Sequence, residues 1–271
     1  MDAAYENAGG ARDRTSQTFV NGFARGLSVI EAFANAPEAL SLTEVASRAG
    51  LDRAVARRML LTLVELGFVT RNQKRFRLTP RVMRLGYAFL SQAGFDGMLR
   101  PFLVELTQKL AESVSVSVLD GNETVVVCHV TSTVRKTGLL LREGSRWPAY
   151  VMASGRVLLS GLADADIRAR FHDGLHAFTR KTLTDVEAVI RAVHLTRQRG
   201  YGLVDEEFED SLISVSVPIY DRQQKLVASL NTSSAKSRRT AQNMREHVIP
   251  LLQETAREIS PTLPLGVLSV G

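Results

Sequence analysis

Residues 42–69 read LTEVASRAGLDRAVARRMLLTLVELGFV. Ser41 or Thr43 is placed to cap a short helix, Glu44–Ala49, because a hydroxyl oxygen accepts the free N–H groups of a first turn. Gly50 can adopt the left-handed conformation that ends it. Asp52 then caps a longer helix running to Leu66, with Val55, Met59, Leu63 and Leu66 as its apolar stripe and Arg53 and Arg57 pointing the other way. Beyond Gly67, Phe68–Thr70 and Phe76–Leu78 form two short strands joined by a basic turn, residues 71–75. Thr79-Pro80 opens a further helix over about 81–92. Upstream, Phe19–Ala34 has helical periodicity and is closed by Asn35-Ala36-Pro37. Helix, tight turn, second helix and basic hairpin make a winged helix-turn-helix over 16–80, followed by a linker helix over 81–93.

Charge follows the same boundary. Between Arg48 and Arg84 there are ten Lys or Arg and two acids. Residues 1–90 carry 13 basic and 8 acidic groups, whereas residues 91–271 carry 21 and 20. An arginine-crowned helix clear of its own apolar stripe suits a DNA major groove. Arg53, Ala54, Arg57 and Arg58 are therefore expected at base edges, since arginine pairs in a bidentate way with guanine acceptors. Lys74 and Arg75 are expected at the hairpin tip, on the backbone or in the minor groove, and Ser41, Thr43 and Thr62 on phosphates. The competing readings are a solvated basic face, or a winged helix used for protein contacts.

The remaining 94–260 alternates helices with hairpin-connected strands. Helices are expected at 98–112, 154–162, 164–171, 185–199 and 239–259. Strands are expected at 113–119 (SVSVSVL, strict period two), 124–130, 137–142, 212–220 and 226–231. This is a mixed α/β domain around a mostly antiparallel sheet, making the whole chain α+β. Residues 1–15 and 261–271 are expected to be mobile. Cys128 is the only cysteine, which excludes an internal disulfide and a multi-cysteine metal site. The first fifteen residues lack the apolar core of a signal peptide, and no apolar run approaches the ~20 residues of a spanning helix, so a cytoplasmic protein without membrane contact is expected. Cys128 and His129 alternate across a strand and cannot pair as nucleophile and base. His172 and His176 are interrupted by Gly174, with no third ligand in view. No enzyme, cofactor or metal is expected.

The stretches FVNGFARGLSVIEAF (19–33), LTEVASRAGLDRAVARRMLLTLVELGFV, RFRLTPRVMRLGYAFL (75–90), WPAYVMASGRVLLSGL (147–162), RGYGLVDEEFEDSLISVSVPIYD (199–221) and LVASLNTS (226–233) together resemble the IclR-type transcriptional regulators, from about Phe19 to Ile259. The opening is similar to the subgroup governing catabolism of protocatechuate, 4-hydroxybenzoate and related aromatic acids. The resemblance implies a C-terminal effector-binding domain of GAF-like or profilin-like α/β fold. It also implies dimers or tetramers on palindromic double-stranded operators, with dimerisation through the N-terminal helices.

The same resemblance implies a pocket between the sheet and the loop ahead of the ASG helix. Its polar side maps to Val204-Asp205, Ser214, Asn231 and Ser233, and its apolar side to Leu140, Ala149, Tyr150 and Met152. Ser154-Gly155 opens a helix whose free N–H groups favour a carboxylate. Two departures stand out. Ser211-Leu212-Ile213 replaces the Gly-Leu-Arg common in the family, and Val204 stands where some members place a carboxylate. Arg135, Arg142, Arg146 and Arg156 remain alternative partners for a ligand carboxylate. The expectation is a ligand-responsive regulator of a catabolic operon, its effector an aromatic carboxylic acid. The alternatives are a non-aromatic small carboxylic acid, or an oligomeric DNA-binding scaffold without effector.

Overall fold

The computed structural model describes residues 19–34, 36, 38–85, 95–133 and 141–263, in two compact units, Met1–Phe89 and Leu90–Gly271. The first holds α1 (Asn21–Glu31), β1 (Leu40–Ser41), α2 (Leu42–Arg48), α3 (Arg53–Glu65), β2 (Val69–Asn72) and β3 (Arg75–Leu78). Ser41 begins α2 through a capping box: its hydroxyl accepts the Glu44 N–H at 3.3 Å, and the Glu44 carboxylate accepts the Ser41 N–H at 2.7 Å. Asp52 caps α3 by accepting from the N–H groups of Ala54 and Val55. Gly50 sits between the two helices at φ +63, a conformation costly for any residue with a Cβ.

Three features of this unit differ from expectation. The buried stripe of α3 is Ala56, Leu60 and Leu63, while Val55 and Met59 are half-buried and Leu66 is 51% exposed. Both α1 and α2 pack on α3, which turns the buried face one residue round the helix. The hairpin turn is two residues, Gln73-Lys74, because β2 and β3 pair as far as Asn72↔Arg75. The two-residue β1 adds a third antiparallel strand through Leu40↔Phe76. Thr79 caps a 3-10 turn, Pro80–Val82, that runs into helix at 83–85; the rest of the expected linker helix, 81–93, lies outside the described residues.

The second unit is built on a six-stranded antiparallel sheet of order β6-β5-β4-β9-β8-β7. Its elements are α4 (Phe95–Leu110), β4 (Val114–Asp120), β5 (Glu123–Val130), β6 (Arg146–Pro148), α5 (Ala153–Leu159), α6 (Asp164–Arg170), α7 (Val186–Arg199), β7 (Gly202–Asp205), β8 (Leu212–Tyr220), β9 (Leu226–Ala235) and α8 (Ile249–Ile259). A helical turn Ala241–Asn243 and a π turn Met244–Val248 precede α8. The expected continuous helix 239–259 is interrupted because Pro250 has no N–H to give the Glu246 carbonyl. β6 and β7 were not anticipated; each is only three or four residues long. The expected strand 137–142 falls outside the described residues except for Leu141 and Arg142, which are irregular.

The period-two strand has a further consequence. Val114, Val116 and Val118 join Val215, Val217, Ile219 and Leu230 in one apolar core beneath α4 and α8. The alternate face carries Ser115, Ser117, Ser216, Ser229 and Asn231, and it is buried too, because α5 lies across it. Small hydroxyl side chains let a helix approach the sheet closely, and their oxygens bond nearby groups, as in Ser216 Oγ to the Leu230 carbonyl at 3.1 Å.

Candidate nucleic-acid interface and effector site

Arg53, Ala54, Arg57 and Arg58 all lie on the exposed face of α3, opposite Ala56, Leu60 and Leu63. None of these arginines makes an ion pair among the described residues, so their guanidinium groups are available to an incoming anion. Other basic residues are committed to the fold. Arg48 donates to the carbonyls of Ala32 and Ala34. Arg71 donates to Gln73 and lies over the Phe76 ring, and Arg81 lies over Phe68. Arg75 is not at the hairpin tip: its Nη1 donates to the Ala39 carbonyl at 2.6 Å, tying β3 to the segment before β1. Lys74 occupies the tip. Thr43 is exposed at the start of α2, whereas the Thr62 hydroxyl donates to the Arg58 carbonyl at 3.0 Å and has no proton left for a phosphate. Arg77, exposed on β3, adds a cation that sequence reading passed over.

In the second unit a cavity of about 20 Å³ is lined by Leu141, Met152, Ala153, Ser154, Phe208, Leu212, Ser214, Asn231 and Ser233. Strand register brings its polar members together, since Ser214 faces Ser233 across β8 and β9, and Asn231 faces Ser115 on β4. Ser117 Oγ donates to Asn231 Oδ1 at 3.2 Å. Of the residues expected in an effector pocket, Met152, Ser154, Ser214, Asn231 and Ser233 line this cavity.

The remaining expected residues lie elsewhere. Ala149 and Tyr150 belong to a second apolar cluster. The Tyr150 hydroxyl donates to the His176 carbonyl at 2.6 Å, and its ring packs edge-on to Phe171. Gly155 serves packing: a Cβ there would overlap the Ala149 carbonyl. Asp205 pairs with Lys236 at 3.0 Å, and Leu140 lies outside the described residues. Of the arginines considered for a ligand carboxylate, Arg146 is taken by Asp120 and Glu123. Arg156 is held by Glu207, and Arg142 is exposed. No described lining residue is cationic.

Phe208 was missed. It stands edge-on to Trp147 at 4.9 Å and tilted against Phe178 at 5.1 Å. The one signal for it is a lone ring inside DEEFED, where burial of the aromatic outweighs its acidic neighbours. Its loop is fastened at both sides. Glu207 grips the buried Arg156, and Glu206 takes Lys181, Lys236 and the Ser211 N–H, which together hold its carboxyl at about 2. Ser211 itself sits at φ +63, a backbone that explains why glycine suits this position.

Comparison with known proteins agrees with this architecture. Residues 23–73 match the IclR helix-turn-helix domain, and residues 88–261 match the bacterial transcriptional regulator IclR C-terminal domain. The p-hydroxybenzoate hydroxylase transcriptional activator of Acinetobacter baylyi is 34% identical over 250 residues, covering 90% of this chain and 92% of that protein. A transcriptional regulator from Rhodococcus sp. RHA1 superposes with a TM-score of 0.75 at 37% identity, over 89% of this chain and 97% of that one. The inducer-binding domain of Acinetobacter PobR, a double mutant solved with 3-hydroxybenzoic acid, gives 0.56 at 31% identity, over 60% of this chain and 95% of that one. With an open arginine face on the second helix of the helix-turn-helix and a serine–asparagine cavity in the sheet domain, this chain belongs to the IclR family of ligand-responsive transcriptional regulators, and is not an enzyme.

Proposed function

We propose that the chain reads a palindromic operator as a homo-oligomer and responds to a small aromatic carboxylic acid, regulating a catabolic operon for such acids. The observation that carries the DNA part is the face of α3 on which Arg53, Arg57 and Arg58 stand exposed without ion pairs. Arg53, Ala54 and Arg57 meet base edges, Lys74 meets the backbone, and Thr43 and the still-protonated Ser41 hydroxyl meet phosphates. Oligomerisation is supported by the exposed apolar side chains of Phe23 and Leu27 on α1 and of Phe19 and Val20 just before it.

The aromatic effector is supported by two relatives whose names carry p-hydroxybenzoate and 3-hydroxybenzoic acid. Ser154, Ser214, Asn231 and Ser233 orient the polar groups of the acid, and Met152, Leu141, Leu212 and Phe208 enclose its ring. A cavity of about 20 Å³ holds roughly one water, so a ring enters only as the walls part. A ligand that binds the parted form more tightly shifts the protein towards it. The same narrowness favours, as the second reading, a smaller non-aromatic carboxylic acid.

The test is fluorescence anisotropy of the full chain on DNA from its own upstream region, with and without 4-hydroxybenzoate, 3-hydroxybenzoate, protocatechuate and pyruvate. Binding tighter than to scrambled DNA, altered by an aromatic acid, supports the proposal. A response to pyruvate alone moves the effector to the second reading. Specific binding unaffected by any acid favours a scaffold without effector. No specific binding overturns the DNA reading. Arg57→Ala is expected to lose about 1–3 kcal/mol on the specific fragment if it makes a base contact.

A further inference from the structure

Asn231 is nine-tenths buried and lines the cavity, yet only one end of its amide is satisfied. Its Oδ1 accepts from Ser117 Oγ. Among the described residues its Nδ2 has no hydrogen-bond partner, which leaves both of its protons for a group in the cavity that Asn231 lines. An amide can turn over, exchanging a two-proton donor for an acceptor at the same point. What prevents this here is Ser117, itself 2% exposed, on the strand beside β9 and sharing the face of Asn231. The Ser117 carbonyl accepts from Ser229 Oγ at 3.4 Å, a second side-chain bond between β4 and β9 at this residue. If the amide turned over, two donors would confront each other unless the hydroxyl swung round to accept, and its proton would then lose the Oδ1 acceptor.

We propose that Ser117, which does not line the cavity, is the positioning residue that sets its polarity. It holds Asn231 as a donor, so that the ligand atom meeting Asn231 must be a hydrogen-bond acceptor, and a carboxylate or phenolate oxygen is the strongest. This rests on the small-molecule reading above. It also explains how an anion is recognised where no described lining residue is cationic: the Asn231 amide supplies a donor of set direction, and the hydroxyls of Ser154, Ser214 and Ser233, which line the same cavity, can turn their protons towards it. Such a site rejects an isostere that offers a proton at that point, because donor then faces donor.

Titration calorimetry of the full chain and its Ser117→Ala variant with 4-hydroxybenzoate and with 4-hydroxybenzamide tests the idea. The wild type should prefer the acid. In Ser117→Ala the acid should weaken by about fivefold to tenfold, the loss of one hydrogen bond's direction, while the amide holds or improves, so that the ratio contracts. Equal loss for both ligands, or an unchanged ratio, means that Ser117 merely supports the fold and overturns the proposal. Asn231→Asp provides a second variant that keeps the Ser117 bond but turns a carboxylate oxygen on the ligand; it should reject the acid and retain the amide, and continued preference for the acid overturns the proposal. A neutron structure of the ligand-free protein separates this inference from the function it rests on. Deuterons of Asn231 directed to the cavity sustain it even if neither compound binds, whereas Nδ2 turned to Ser117 overturns it even if both do.

Discussion

Lys74→Ala is the most informative single change in the DNA-binding unit, because the fold and the charge can be separated there. Lys74 is exposed at the tip of a two-residue turn and forms no ion pair among the described residues. Its removal should leave the unit's stability within about 0.5 kcal/mol, as for other exposed surface positions. If the wing tip meets a phosphate, one contact is lost per protomer, and the slope of log K against log salt falls by roughly 0.9 per contact, or about 2 for two protomers on one site. Between about 50 and 200 mM salt the wild type should then lose about tenfold more affinity than the variant. The ratio of affinities for the upstream fragment and a scrambled one should stay constant, since phosphate contacts carry no sequence information. Anisotropy titrations across that salt range give the slope. An unchanged slope, or an altered ratio, would refute the assignment. Arg75→Ala is the control. It removes the Nη1 bond to the Ala39 carbonyl and should cost about 1 kcal/mol of stability, visible in thermal unfolding without DNA.

Other changes follow from the second unit. Ser214→Val, which replaces a lining hydroxyl with a methyl and adds a second, is expected to abolish the acid response while leaving DNA binding of the free protein intact; a retained response would place the pocket elsewhere. Glu112 is 1% exposed and accepts from Ser234 Oγ at 2.7 Å and from Arg238 at 3.1 Å. Glu112→Ala strands these donors and should cost about 3 kcal/mol in urea unfolding; a loss below about 1 kcal/mol would show that the network contributes little. Glu206 has a folded-state value of about 2 against an ordinary 4.5. Its contribution is complete above 4.5 and disappears as pH falls towards 2. The stability gap between wild type and Glu206→Gln should therefore close through that window, and a gap independent of pH would exclude this ion cluster as its source.

Much of this architecture was legible because it is written locally. Ser41, Asp52, Thr79 and Asp185 cap the helices they precede, and Gly50, Gly67, Gly121 and Gly200 all adopt positive φ. What could not be read is non-local. The buried stripe of α3 depends on two helices packing on it at once, so periodicity alone favoured Val55 and Met59 over Ala56 and Leu60. The serine face of β4 has the alternation of a solvated strand until α5 covers it. β1, β6 and β7 are too short to show a period; β1 and β6 pair with strands well separated from them in sequence, and β7 with its hairpin neighbour β8. At the cavity, β8 and β9 delivered Ser214, Asn231 and Ser233 in register. Tyr150 has the composition of a ligand wall but found a carbonyl acceptor in a neighbouring loop, whereas Phe208 reached the cavity from inside an acidic run. Arg75 differs from Lys74 only through a carbonyl 36 positions earlier in the chain.

The glycines around α5 constrain what this scaffold can become. A methyl on Gly155 would run into the Ala149 carbonyl, and one on Gly202 into the Ala153 carbonyl, so main chain rests directly on main chain on either side of α5, at Ala153 next to a lining residue of the cavity. The seat of α5 is therefore set by the polypeptide itself and cannot be tuned by exchanging side chains at those contacts. Retargeting the sensor to larger or differently decorated molecules has to proceed sideways, through Met152, Phe208 and Leu212 for shape and the hydroxyl row for chemistry. A library confined to those positions would sample new inducers while leaving the bedrock under them undisturbed.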